Sequence, residues 1–469
     1  MRVSPAAIIF ALFLAETTVT FESAMVYAAL PRLIRDFGDP VAAGWLVTSH
    51  LLIAAATAPV AGRLGDIRGR KRIIMALLAI ALVGSMISAL ATNLPVVLVG
   101  RALQGLSAAV IPLSIGVLRE SLPSDRVPMG IGLLTTAQGA GAALGLVLGG
   151  VIVDRLDWHW LFAASAILLA LSMLAVAVFV PSRPGNPTRV PIDWIEGLLP
   201  VPGIAAILFA ISLIKGQGLF SPTVLGLLLG AALLLGWWAR RSLTSAEPFL
   251  DLRLFQRRNF AVANLISILL GMGTMQIVYV FSAYMQSPQW TLVGLGLTAT
   301  LAGLAKLPSN FLSFLAGPLA GWLILRIGHR HTVVAGALLA ASGWLMALAL
   351  PDQLIAVIGL LCVISFGTTL LQGAIPTIVV DAVPENRTSE AVGTLSVIRG
   401  IAAAIGAQVI ALLLASQTMA PPGGGAHFPT GEAYRLTMGV MAALTIGGAF
   451  TAMLLRAHRR APAAEGVSE

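Results

Sequence analysis

Residues 59–72 read PVAGRLGDIRGRKR. An apolar run breaks at Gly62 and closes in a glycine-punctuated turn that holds one Asp and five Arg or Lys residues. Apolar segments lie on both sides of it, so the turn belongs at a membrane surface. The same punctuation returns 259 residues later, where residues 318–330 read PLAGWLILRIGHR with Pro, Ala, Gly, Leu and the later Gly in the same relative positions. One half of the chain is therefore a relative of the other.

A second echo supports the repeat. Leu122-Pro-Ser-Asp-Arg126, Gly132, Gln138-Gly139, Ala142-Ala143 and Gly145 are matched, at a shift of 261, by Val383-Pro-Glu-Asn-Arg387, Gly393, Arg399-Gly400, Ala403-Ala404 and Gly406. Two separated matches at nearly one period make coincidence a poor explanation.

Of the 469 residues 58% are hydrophobic and only 10% charged, and the mean hydropathy is +0.92, which points to a polytopic membrane protein. Apolar runs of the length a helix needs to cross the hydrocarbon recur throughout, without the alternation of barrel strands. Spans are expected near residues 6–30, 44–62, 73–92, 95–118, 130–153 and 159–181, then 195–214 and 219–239, then 260–284, 297–325, 332–350, 354–381, 391–415 and 434–456. That is an all-α protein of fourteen transmembrane helices, two six-helix bundles with two helices inserted between them. Residues 1–182 form the first bundle, 183–259 the inserted pair with a basic linker, 260–460 the second bundle and 461–469 a disordered tail.

Lys and Arg favour cytoplasmic loops. With both termini cytoplasmic, 21 of the 29 basic residues fall inside, five outside (Arg32, Arg35, Arg155, Lys215, Arg435) and three within spans (Arg101, Lys306, Arg399). The net charge of +9 thus follows from topology and calls for no nucleic-acid partner. The first span carries two Glu residues and reads as a retained helix, not a cleaved leader. Cys362 is the single cysteine and excludes an intrachain disulfide. Only three of the basic residues are Lys, and Ala, Gly and Pro abound; this composition suggests a GC-rich bacterial genome and hence the bacterial inner membrane.

At this point a resemblance can be stated. Gly62-Arg-Leu-Gly-Asp66-Ile-Arg-Gly69-Arg70-Lys71 resembles the signature between helices 2 and 3 of the major facilitator superfamily, and Arg101, Gln104 and Gly105 resemble its helix-4 signature. Glu22 to Pro31 (ESAMVYAALP) resembles the first-helix signature of the fourteen-helix drug:proton antiporter branch, with Glu22 in place of the usual Asp and Tyr27 in place of the usual Asn. Residues 157–162 (DWHWLF) and 250–255 (LDLRLF) resemble two further stretches of that branch. One departure stands out: Gly145-Leu146-Val-Leu-Gly149-Gly150 lacks the Pro of the helix-5 antiporter signature.

The resemblance implies the major facilitator fold, in which two bundles rock about a site near the midplane. It implies export of a small amphipathic substrate by a monomer in the lipid bilayer, with no cofactor and a gradient of protons, or else of sodium, as the energy source. Ionisable groups inside a membrane are functional candidates by default. Glu22 is the expected proton site, with Arg101 as partner; the plainer reading is a static ion pair between helices 1 and 4. Glu16, six residues earlier, falls on a different face of the helix. His50 is a proton relay or a buried, hydrogen-bonded histidine. Gln104 orients Arg101 or binds substrate.

Lys306 and Arg399 give the cavity three bases with Arg101 against two acids, so an anionic metabolite or lipid is the alternative cargo. Lys306 could instead snorkel or pair with Glu16. Tyr27, Gln276 and Tyr279 are expected in the cavity with Met25, Met272, Met275, Phe281 and Tyr284, since the helices that carry them form facing walls in this fold. Gly62, Asp66, Gly69, Arg70 and Lys71 read as a state-dependent latch, while Arg63, Arg68 and Arg72 read as anchors. The second copy has Leu325 at the position of Asp66 and reads as a turn with anchors. Gly141, Gly145, Gly149 and Gly150 are expected to let helices pack closely or to act as a hinge. No nucleotide loop, metal spacing or catalytic cluster argues for an enzyme, and no soluble signalling domain argues for a sensor.

Overall fold

A computed structural model describes residues 4–37, 40–123, 126–185, 197–245, 248, 250–384, 387–421 and 427–455. The expected tail at 461–469 and most of the polar break between the first bundle and the inserted pair lie outside the described residues.

The first half comprises α1 (Pro5–Phe37), α2 (Pro40–Arg68), α3 (Arg70–Ala89), α4 (Leu94–Gly105), α5 (Val110–Ser121), α6 (Val127–Arg155) and α7 (His159–Phe179). A 3-10 turn at Leu106–Ala109 joins α4 to α5 in one rod, so these are six crossings. The α1 helix has 33 residues, roughly 50 Å of rise, more than the hydrocarbon needs. It therefore carries Arg32 and Arg35, expected in a loop, in its last turns.

The inserted pair is α8 (Pro200–Gln217) and α9 (Pro222–Thr244). They pack on each other through Gly203 and Leu235, and on the seam between halves through Ile204 and Leu208 against Leu52 and Ala404. The second half follows with α10 (Arg258–Met272), α11 (Ile277–Met285), α12 (Ala299–Ala347), α13 (Leu354–Asp381), α14 (Thr388–Ala415) and α15 (Gly431–Ala452). A short antiparallel ladder, β1 (Thr418–Met419) with β2 (Phe428–Pro429), sits before α15. It is a small departure from the all-helical expectation.

Thirteen helices among the described residues are long and apolar enough to cross a membrane. The fourteenth crossing is inside α12, whose 49 residues are interrupted at Gly328 (φ 79°, ψ 166°). Gly69, between α2 and α3, has φ 96°. Both positions demand glycine, because a Cβ is strained at positive φ, and they occupy matching places in the two repeat copies. The chain spans the membrane many times.

Where the halves meet, small residues set the distance. A methyl added to Gly150 would overlap the Ala299 backbone, one on Gly303 the Leu146 carbonyl, and one on Gly44 the Ala411 methyl. Thr48 donates to Gln408 Oε1 across the seam at 3.1 Å, and Ser282 donates to the Tyr27 carbonyl at 2.6 Å. These contacts join α6 to α12, α2 to α14 and α1 to α11.

Candidate functional site

Glu22 lies halfway along α1 and is fully buried. Its carboxylate accepts from three hydroxyls on three other helices: Ser165 on α7 at 2.9 Å, Ser107 at 3.0 Å and Ser85 on α3 at 3.3 Å. Gln104 donates to Ser85 Oγ at 2.7 Å and ties the group to α4. Hydroxyls can donate to a carboxylate and accept from a carboxylic acid by rotating. The cage thus accommodates both protonation states without moving its helices.

Arg101 is equally buried, yet it forms no ion pair with the Glu22 carboxylate among the described residues. Its guanidinium donates to the Glu22 backbone carbonyl at 3.1 Å, to Leu46 O at 2.9 Å and to Gln104 Oε1 at 2.8 Å. In place of the static pair of the plainer reading, Arg101 clamps the backbones of α1 and α2. His50 is the buried, hydrogen-bonded kind, its Nε2 lying 2.8 Å from Ser23 Oγ. Its Nδ1 makes no hydrogen bond of good geometry.

Glu16 is buried without a well-formed hydrogen bond to either oxygen, and its polar neighbour is Ser114. Glu16 and Glu22 lie on different faces of α1, yet both are buried inside the first bundle. Ser107 and Ser114 are seven residues apart, two turns along the α4–α5 rod, and each acid lies beside one of them. A helix surrounded by its own bundle buries more than one face.

Tyr27 of α1 and Tyr279 of α11 meet across the seam with ring centroids 6.1 Å apart. Gln276 is placed in packing and not at a cavity wall. Its amide donates to Gly271 O at 2.9 Å and Ala403 O at 2.8 Å, which closes the break between α10 and α11. Lys306 is 6% exposed and donates to Ser309 Oγ at 2.7 Å and Ser365 Oγ at 2.6 Å. It neither snorkels nor pairs with Glu16. Arg399 is partly buried and no hydrogen bond or ion pair joins its guanidinium to another described residue.

At the loop between α2 and α3, Asp66 and Arg70 pair at 2.8 Å and Arg70 reaches Glu120, at the end of α5, at 3.1 Å. Lys71 Nζ donates to Ala177 O on α7 at 2.8 Å. Gly69 approaches the Arg183 carbonyl, whereas a methyl on Gly62 would meet open space. These links of Arg70 and Lys71 run within their own half, and Arg63 donates to Pro248 O at 3.2 Å. The second copy is more than a turn with anchors: His329 lies 3.3 Å from Asp381, at the end of α13. His329 is Arg70 shifted by 259, and Asp381 is Glu120 shifted by 261, so each half ties its loop to the end of its fourth crossing by an acid–base pair.

Of the four α6 glycines expected to pack or hinge, Gly141, Gly145 and Gly149 pack on α1 at Thr17, Ala24 and Met25, and Gly150 alone faces the other half. Sequence reasoning missed Ser85, Ser107, Ser165 and Glu120, and also Asp154 at the end of α6, whose carboxylate accepts from the Ala299 and Thr300 backbone N–H groups across the seam. Isolated serines in apolar helices give no pattern. Only their spacing relative to the acid, seen in three dimensions, reveals them.

Comparison with known proteins gives the same architecture. The sequence model of the Major Facilitator Superfamily matches residues 12–407 and 263–469. An uncharacterized MFS-type transporter of Mycobacterium tuberculosis H37Rv is 27% identical over 350 residues, 72% of this chain and 48% of that protein, so the chain spans about half the length of that relative. The putative multidrug resistance protein MdtD of Serratia proteamaculans is 25% identical over 407 residues, 85% of this chain and 82% of that protein. The cephamycin export protein CmcT of Amycolatopsis lactamdurans is 28% identical over 414 residues, 86% and 84% respectively. Among solved structures, a peptide transporter POT in complex with sulfate superposes with TM-score 0.70 at 15% identity, covering 95% of this chain and 93% of the other. That likeness is one of fold.

Proposed function

Because the chain belongs to the major facilitator superfamily, we propose that it is a secondary transporter that exports amphipathic organic compounds in exchange for protons. Its two halves rock about the seam formed by α1, α2 and α6 with α11, α12 and α14, exposing the space between them to each side in turn. The observation that carries the proton assignment is the Glu22 cage: a wholly buried carboxylate held by three hydroxyls, with no ion pair to fix its charge. A carboxylate locked to a guanidinium keeps its charge, whereas one solvated by hydroxyls exchanges protons with little reorganisation. Relatives named for multidrug resistance and for export favour organic cargo and the outward direction. The protein acts as a monomer in the bacterial inner membrane, with the Asp66 end cytoplasmic because the basic residues concentrate there.

The mechanism follows from the geometry. Protonating Glu22 removes a negative charge from among α1, α3, α4 and α7 and leaves Arg101 clamped to the α1 and α2 backbones. The balance of charge inside the first half changes, and with it the relative stability of the two rocking states. Reconstituted vesicles under separately imposed proton and sodium gradients test this. Wild-type protein should move dye under the proton gradient, and Glu22→Gln should lose gradient dependence while still binding dye. Coupling that survives in Glu22→Gln would sink the assignment.

A further inference from the structure

Lys306 is unusual for what surrounds it. Its ammonium is buried in a membrane-spanning helix, and among the described residues no carboxylate lies within ion-pairing distance of it. The acids inside the first half lie elsewhere, Glu22 among its serines and Glu16 beside Ser114. An ammonium withdrawn from water without a counter-ion is strongly destabilising, and a Leu or Met would fill this position at lower cost. Its two partners are neutral hydroxyls, Ser309 and Ser365. An ammonium has three N–H donors, so one remains unassigned.

The place of the group in the fold says what could use that donor. Three residues before it, Gly303 packs against the Leu146 backbone of the opposite half, so Lys306 sits at the seam that must part during transport. It lines a cavity of about 10 Å³ together with Ala28 and Leu146 of the first half and Phe281 and Ser282 of the second. That is room for about one water. Apart from Ser282, whose hydroxyl is taken by the Tyr27 carbonyl, the walls are apolar, and parting the halves would widen the cavity into a largely apolar cleft with one cation at its wall.

We propose that Lys306 anchors the carboxylate of an amphipathic anion or zwitterion in the cleft between the halves, so that such molecules are a preferred class of cargo; this rests on the exporter reading above. The ligand carboxylate supplies the counter-charge that the protein withholds, taking the third N–H of the ammonium, while Ser309 and Ser365 hold the side chain in place. The ligand's apolar body lies along the Ala28, Leu146 and Phe281 walls. As the seam closes, the cavity shrinks to the size of a water and the anion must leave, so binding belongs to one state of the cycle.

Rhodamine B, which carries a free carboxylate, and its ethyl ester, which does not, form a matched pair of probes. Their binding to purified protein is measured by fluorescence polarisation, with a monodisperse elution profile required of each variant. Wild-type protein should bind the acid at least tenfold more tightly than the ester. Lys306→Met and Lys306→Gln should abolish that difference by weakening the acid alone, and Lys306→Arg should keep it. Lys306→Gln preserves hydrogen bonding to the serines without charge and guards against a packing defect in Lys306→Met. A preference that persists in both uncharged variants, or wild-type protein with no preference, overturns the proposal. Acid binding that depends on Lys306 without gradient-driven flux would retain this site and discard the exporter reading. Ester flux that depends on Glu22 but not on Lys306, with no preference for the acid, would do the reverse.

Discussion

The carboxylate of Asp154 accepts the backbone N–H of Thr300 at 2.8 Å. It also accepts that of Ala299 at 3.0 Å. A side chain at the end of α6 in one half therefore caps the first turn of α12 in the other. Free N–H groups and the helix dipole both favour an anion there. The bond can exist only while this end of the seam is shut.

Removing the cap should favour opening at that end. Loss of an N-cap is worth about 0.5–2 kcal/mol, which corresponds to a roughly 2- to 30-fold change in the population of the open state. Asp154→Ala, combined with Ala28→Cys in a Cys362→Ser background, should react with a membrane-impermeant maleimide faster by a factor in that range. An unaltered rate would show that the cap does not bias the equilibrium.

Arg101 holds two helix backbones at once, through Leu46 O and Glu22 O. Lys lacks the planar fork needed to reach both. In Arg101→Lys at least one buried carbonyl loses its donor, at about 1–3 kcal/mol. The variant is expected to fold but to melt several degrees lower in detergent, with proton-coupled flux reduced as α1 and α2 loosen around Glu22. Equal melting temperatures would contradict the clamp.

The link from Arg70 to Asp66 and Glu120 can be disturbed without altering any charge, because a methyl on Gly116 would collide with the Arg70 guanidinium. Partly exposed ion pairs contribute about 0.2–1 kcal/mol. Gly116→Ala should therefore lower turnover by up to about fivefold while leaving dye affinity unchanged, and Glu120→Gln should do the same. If affinity falls and turnover does not, the contact shapes the substrate site and not the cycle.

The crossings and the repeat were legible because the membrane imposes length and the two turns impose glycine. Residues 297–350 divide near Gly328 in the sequence as in the structure, where the positive φ of that glycine interrupts the helix. Glu22 was legible as an acid where acids are costly. Its cage was not, because Ser85, Ser107 and Ser165 come from three other helices and a serine alone in an apolar run has no signature. Helical-wheel reasoning separated Glu16 from Glu22 correctly by angle, but α1 is enclosed on more than one side and both angles point inward. Gln276 looked like a cavity residue for want of knowledge that α10 breaks at Gly273 and leaves carbonyls that its amide must satisfy. Lys306 was read as a charge in search of a partner, and it still lacks one of opposite sign.

The paired bridges Arg70–Glu120 and His329–Asp381 place a permanent cation on one half and a conditional one on the other. A guanidinium stays charged at any physiological pH, whereas an imidazole is charged only when protonated. Duplication has thus left two clasps of the same shape, one built on a guanidinium and one on an imidazole. His329→Arg would equalise them, and turnover measured beside the wild type should change if the clasps take part in the cycle; identical turnover would mean that they merely tether their loops. One half would then hold its loop with a charge that is always present, and the other with a charge that has to be supplied.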